Sequence, residues 1–147
     1  MYSMWLTTEQ QQVWRAYLEM ASRLQTAMNR QLQHDCELSL ADYDVLVALS
    51  ERGSRRVNEL CEVLAWEQSR LSHQLRRMRG RGLVARHGSG DDRRGAIVEL
   101  TPSGQAALDA AAPGHVELVR SVVFDGLSAA QLGAFRSVIE LITGRLR

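Results

Sequence analysis

Apolar residues recur at helical spacing along most of the chain, and one stretch breaks that rhythm. Val57–Leu64 reads as a short helix. Glu67–Met78 reads as a second one, with Leu71, Leu75 and Met78 at i, i+4 and i+7. At about 100° per residue these three share one face. Ser69, Arg70, His73, Arg76 and Arg77 fall across the opposite half. Gly80-Arg81-Gly82 ends the helix, since glycine tolerates the backbone turn that follows a last helical turn. Leu83–Arg86 then reads as a strand, His87–Gly95 as a glycine-rich charged hairpin loop, and Ala96–Leu100 as the return strand. A solvated amphipathic helix would show the same two faces as Glu67–Met78. The strand, basic loop and strand that follow are what turn the pattern into a winged helix-turn-helix.

On either side the pattern is helical. Thr8 and Gln11 stand at capping-box spacing, ahead of a helix running to about Gln33 through Val13, Tyr17, Met20, Leu24 and Met28. His34–Leu38 reads as a connector. Ser39 caps a helix over Leu40–Ser50, with Asp42 at its third position, and Arg52-Gly53-Ser54 is a turn. Arg55-Arg56 reads as a solvated pair within reach of a phosphate. Thr101-Pro102 opens another helix, which Pro113-Gly114 is expected to kink or break before His115–Phe124 continues it. After a break at Asp125–Leu127, Ser128 and Gln131 form a further capping box. The last helix carries Leu132, Phe135, Val138, Ile139, Leu141 and Ile142. The first helix and the last two thus have apolar faces that the central unit does not account for, and a dimer would interlock them.

Charge sharpens this reading. The chain's net charge is only +1, yet residues 52–94 hold eleven arginines against five carboxylates, a local +6 balanced by −5 elsewhere. Such segregation is the footprint of a polyanion site. Every basic residue other than histidine is arginine. Arginine's planar fork suits guanine edges and phosphates, although codon composition is the better explanation of the bias. On the exposed half of the second helix, Ser69, Arg70, His73, Arg76 and Arg77 are the groups a helix needs in a major groove. Arg93 and Arg94 at the wing tip suit phosphate or a narrow minor groove.

Leu64-Ala65-Trp66 running into Glu67–Met78, then Arg81–Arg86, then Asp92-Arg93-Arg94-Gly95 leading to Val98-Glu99-Leu100-Thr101-Pro102-Ser103-Gly104, resembles the MarR family of transcriptional regulators. The Asp-x-Arg wing followed by Leu-Thr-x-x-Gly is the more specific part, and the resemblance covers nearly the whole chain. Glu67 departs from it, standing where such proteins usually open the recognition helix with Ser or Asp. The resemblance implies a mainly α fold, an α+β winged helix. A DNA-binding region would span 40–101, and helical dimerisation regions 1–36 and 102–147, all within one domain over 1–147. It implies a homodimeric regulator, most often a repressor, at a palindromic operator. Arg94 would enter the minor groove, held by Asp92, while Arg93 meets phosphate. It also implies an effector pocket for small aromatic or lipophilic compounds. Trp14, Tyr17, Tyr43 and Trp66 are candidates to line it, with His115 as a polar handle; core packing or helix-surface exposure is the competing role for each.

Other chemistry finds little support. Ser69, Ser72 and His73 lie close in sequence, but no carboxylate is placed to orient the imidazole, so no enzyme is expected. No phosphate-binding glycine loop, cofactor motif or metal framework is present; His34-x-Cys36 is the one close-spaced ligand pair. Cys36 and Cys61 make no disulfide framework, which fits a reducing compartment. A thiol-redox or metal sensor centred on Cys36 is the alternative on the same scaffold. No apolar run is long enough to span a membrane, and Met1–Leu6 lacks the pattern of an export signal, so a cytoplasmic location is expected.

Overall fold

The computed structural model describes residues 5–88 and 95–147. In chain order the elements are α1 (Thr8–Cys36), α2 (Leu40–Arg52), β1 (Arg55–Arg56), α3 (Val57–Leu64), α4 (Gln68–Gly80), β2 (Val84–His87), β3 (Ile97–Leu100), α5 (Pro102–Val119), a π-helical turn (Arg120–Phe124) and α6 (Ala129–Leu146). The fold is mainly α with one small antiparallel sheet, as the pattern predicts. By backbone contacts the chain divides into two compact units, 1–114 and 115–147.

Capping chemistry sets most helix starts in the first unit. The Ser39 hydroxyl accepts the Asp42 N–H at 2.9 Å, while an Asp42 carboxylate oxygen accepts the Ser39 N–H at 2.9 Å. This reciprocal box satisfies two donors that a helix start leaves unpaired. At α1 the box forms one residue earlier than Thr8–Gln11 spacing suggests, between Thr7 and Gln10. The helix also outruns the expected connector, ending at Cys36. Glu37 then takes the left-handed conformation (φ 55°), its N–H bonding the Gln33 carbonyl and the Leu38 N–H bonding that of Leu32.

The sheet order is β1-β3-β2. Arg55-Arg56, expected to be a solvated pair, is instead a two-residue strand facing Val98 and Ile97. Two adjacent arginines carry no alternation that would betray a strand; the ladder is supplied by a partner about forty residues away. The Arg56 guanidinium donates to the Gly95 carbonyl at 2.8 Å, and the Val57 N–H to that of Ala96 at 3.2 Å. β2 and β3 pair from Val84–Leu100 to His87–Ile97.

The core lies where α1, α2, α3, α4 and the sheet converge. Leu32, Leu38, Leu46, Leu60, Leu71 and Met78 are fully buried there, joined from α5 by Leu108 and Ala111. The Leu-Thr-x-x-Gly segment acts as a clasp. The Thr101 hydroxyl lies 2.6 Å from the Gly82 carbonyl and 3.0 Å from that of Leu83, and accepts the Gly104 N–H at 2.9 Å. A Cβ on Gly104 would sit 2.1 Å from the Leu83 carbonyl oxygen. Glycine is required there because backbone passes against backbone.

α5 runs through Pro113 to Val119 instead of breaking at Pro113-Gly114. Proline forfeits one ladder bond, and the surrounding alanines, the best helix formers, make that loss tolerable. In the second unit, Ser128 and Gln131 form the expected box at the start of α6. No residue of α6 is buried, and Leu132, Phe135, Val138, Ile139, Leu141, Ile142 and Leu146 are all exposed.

Candidate nucleic-acid interface

The interface is built on α3 and α4. Val57–Leu64 buries Leu60, and Ala65 closes it in the left-handed region (φ 56°). The Trp66 N–H reaches back to the Cys61 carbonyl at 3.1 Å, which completes the turn between the two helices. Glu67 is the N-cap of α4 and makes no side-chain cap bond, so the departure at this position has a structural counterpart. Its carboxylate still favours the positive end of the helix.

α4 buries Leu71, Gln74, Leu75 and Met78. Ser69, Arg70, His73, Arg76 and Arg77 are all exposed, so one helix face brings the five residues together. Asp92, Arg93 and Arg94 of the wing lie outside the described residues.

Two cations on this face have built-in partners. The Arg70 guanidinium stands 4.0 Å above the centre of the half-buried Trp66 ring. Asp44 on α2 lies in the field of Arg70. Burial raises the Asp44 carboxyl above its ordinary value, and the Arg70 charge pulls the other way. An Arg77 N–H donates to the Gln74 carbonyl oxygen at 2.7 Å.

Beside the face runs a cleft of about 190 Å³, between α4 and the sheet. Arg76, Arg79 and Arg86 line it above Leu75, Val84 and Val98. Arg79, Arg86 and Gln68 were not singled out from sequence, and Ser72 was weighed only as a catalytic neighbour of His73. Arg86 lies on β2, 10 positions beyond Arg76, and only the packing of helix on sheet joins the two. The charge segregation over 52–94 was the signal that pointed to Arg79 and Arg86.

The aromatic and histidine candidates take separate local roles. Trp14 and Tyr17 stack on each other, ring centres 5.4 Å apart, on an exposed stretch of α1. Tyr43 is buried in the core, and burial followed by Asp44 and Glu51 raises its phenol. Trp66 packs on the core and under Arg70. His115 begins the second unit, and burial lowers its imidazole. None of them lines the cleft beside α4. As for the sensor alternative, His34 pairs with Asp35 at 2.9 Å, and Cys36 is half-buried against the core. Burial, then Glu67 and Glu62, push the Cys61 thiol up, which suppresses the reactive thiolate. Among the described residues no group of three or more His, Cys, Asp and Glu could hold a metal ion, and no single helix is long and apolar enough to cross a membrane.

A family model described as MarR family matches residues 37–95, which hold α2 through the wing. A MarR family transcriptional regulator from Streptomyces coelicolor, solved in complex with DNA, superposes with a TM-score of 0.92 at 37% identity, covering 99% of this chain and 92% of that one. The chain belongs to the MarR family of transcriptional regulators. AbsC, a MarR family regulator from the same organism, covers 99% of both chains at 35% identity and a TM-score of 0.90. The HTH-type transcriptional repressor NicR of Pseudomonas putida is 35% identical over 96 residues, 65% of this chain; that match spans only 61% of NicR. α3, α4 and the small sheet are therefore the winged helix of a MarR-type fold.

Proposed function

We propose that this MarR family chain is a homodimeric, ligand-responsive repressor acting in the cytoplasm on a palindromic DNA operator. The observation that carries the DNA-reading role is the one-sided α4, with Ser69, Arg70, His73, Arg76 and Arg77 exposed and its opposite face in the core. Serine, histidine and arginine can meet base edges and phosphates in a major groove, and arginine pairs bidentately with guanine. Asp92, Arg93 and Arg94 extend the contact to the backbone and minor groove from the wing. The helical regions 1–36 and 102–147 serve dimerisation, and 40–101 serves DNA binding.

Dimerisation has its own support in α6. An eighteen-residue helix with no buried residue does not hold its shape in water through propensity alone, and its exposed leucines, isoleucines and Phe135 call for a partner surface. A second copy supplies one, and two-fold symmetry then gives two recognition helices for two half-sites. Repression is the role carried in the name of NicR, and the Streptomyces coelicolor relative was solved on DNA. An effector of the small aromatic or lipophilic class would change the spacing of the two α4 helices and so lower affinity for both half-sites at once.

Fluorescence anisotropy on a labelled duplex from the chain's own upstream region, titrated with salt, tests the DNA-reading role. Log affinity should fall linearly and steeply with log salt as phosphate counterions are released. A flat response contradicts it.

A further inference from the structure

A glutamine in the apolar stripe of a recognition helix needs an explanation. Gln74 is 3% exposed, flanked by Leu71, Leu75 and Met78. A buried primary amide is costly unless its donors and its acceptor are both used. Both are used here, and by different partners. The Gln74 Nε2 donates to Oδ1 of Asp42 on α2. The Gln74 Oε1 accepts from Arg77 Nη2 at 2.7 Å.

The direction of this chain is forced. An ionised carboxylate only accepts, so Asp42 dictates that the amide turns its NH2 inward. The carbonyl oxygen must then point outward, toward Arg77. Asp42 is itself immobilised. It is 7% exposed, and its other oxygen takes the Ser39 N–H at 2.9 Å and Arg81 Nη1 at 3.2 Å. Arg81 Nη2 donates in turn to the Glu37 carbonyl at 2.7 Å, at the junction of α1 and α2.

We infer that Asp42 and Gln74 are positioning residues for DNA recognition: together they hold the Arg77 guanidinium in one orientation on the reading face. The proposal rests on the role of α4 given above. One of five guanidinium donors is spent on Gln74, and the rest remain for the duplex. Pre-ordering a long flexible side chain removes an entropic cost that a free arginine would incur on binding.

A double-mutant cycle tests this with the full chain, on the duplex that wild type selects from a random pool, at a temperature where each variant is folded by circular dichroism. Gln74→Met keeps volume but removes the acceptor, and should weaken binding about 5- to 10-fold. In an Arg77→Ala background it should cause no further loss, whereas in an Arg76→Ala background the loss should persist. Equal losses in all three backgrounds overturn the inference, since they mark a generally disturbed helix. Asp42→Asn lets the amide reverse and should mimic Gln74→Met; wild-type affinity in Asp42→Asn overturns the role of Asp42. A wild-type chain that binds no duplex overturns both this inference and the functional reading, while a binding wild type with additive losses overturns this inference alone.

Discussion

The Arg70 guanidinium carbon stands 4.0 Å over the centre of the Trp66 ring, at the first turn of α4. The stack restrains a side chain that would otherwise sample many rotamers, and it does so from a ring packed against the core. In the proposed DNA-reading role, Arg70 is thereby aimed before DNA arrives. Arg70→Ala should cost roughly 1–3 kcal/mol of operator affinity and relax base preference at one position. Trp66→Leu should produce a smaller loss of the same kind, with Trp66→Phe between it and wild type. Binding measured against a panel of single-base operator variants checks both. An unchanged preference profile in Arg70→Ala would remove it from the base-reading set.

Asp44 gives a pH-dependent counterpart. Its carboxyl is raised by burial, against the pull of Arg70. A group whose folded pKa is raised stabilises the fold while protonated. That contribution is complete below the unfolded value of about 3.9 and is lost as pH rises through the folded value. At neutral pH the buried charge is a net cost. Asp44→Asn should therefore raise the thermal midpoint at pH 7, and the gain should shrink as pH falls toward 4. A gain that grows on acidification would reverse the assignment.

Gly104 tests the clasp behind the wing. A methyl group there meets the Leu83 carbonyl oxygen at 2.1 Å, so strand or helix must move. Gly104→Ala should destabilise by about 3 kcal/mol, at the upper end of overpacking costs. Urea unfolding with an unchanged m-value is the check. Thr101→Val, which removes the hydroxyl shared among Gly82, Leu83 and Gly104, should also destabilise, by about 1–2 kcal/mol.

The exposed α6 face makes a prediction about assembly. Ile139 and Leu141 are 46% and 56% exposed in the single chain. Ile139→Asp with Leu141→Asp should shift sedimentation equilibrium from dimer to monomer and weaken operator binding steeply, because one half-site is then read alone. A monomeric wild type would contradict the dimer directly.

Much of this was legible in the sequence wherever one local signal sufficed. The stripe of Leu71, Leu75 and Met78 announced which face of α4 would be exposed, and the Ser39–Asp42 and Ser128–Gln131 boxes marked two helix starts. Where two local solutions competed, the sequence was degenerate. Thr7 with Gln10 and Thr8 with Gln11 have the same spacing, and only the fold chooses the first. What depends on distant partners was not legible. β1 exists because β3 lies beside it, and Gln74 is tolerable in the core because Asp42, 32 positions earlier, receives its amide. Trp66, a candidate for an effector pocket, instead supports Arg70 four positions on: the turn closed at Ala65 sets where its ring lies, and the apolar pattern carries no sign of that turn.

The central claim is that two copies present α4 to adjacent turns of a duplex. Selection from a random-sequence duplex pool with the purified full chain, followed by sequencing, tests it most directly. The account predicts an inverted repeat whose half-site centres lie about 10–10.5 base pairs apart. Enrichment of a single asymmetric half-site, or of no sequence at all, would contradict it.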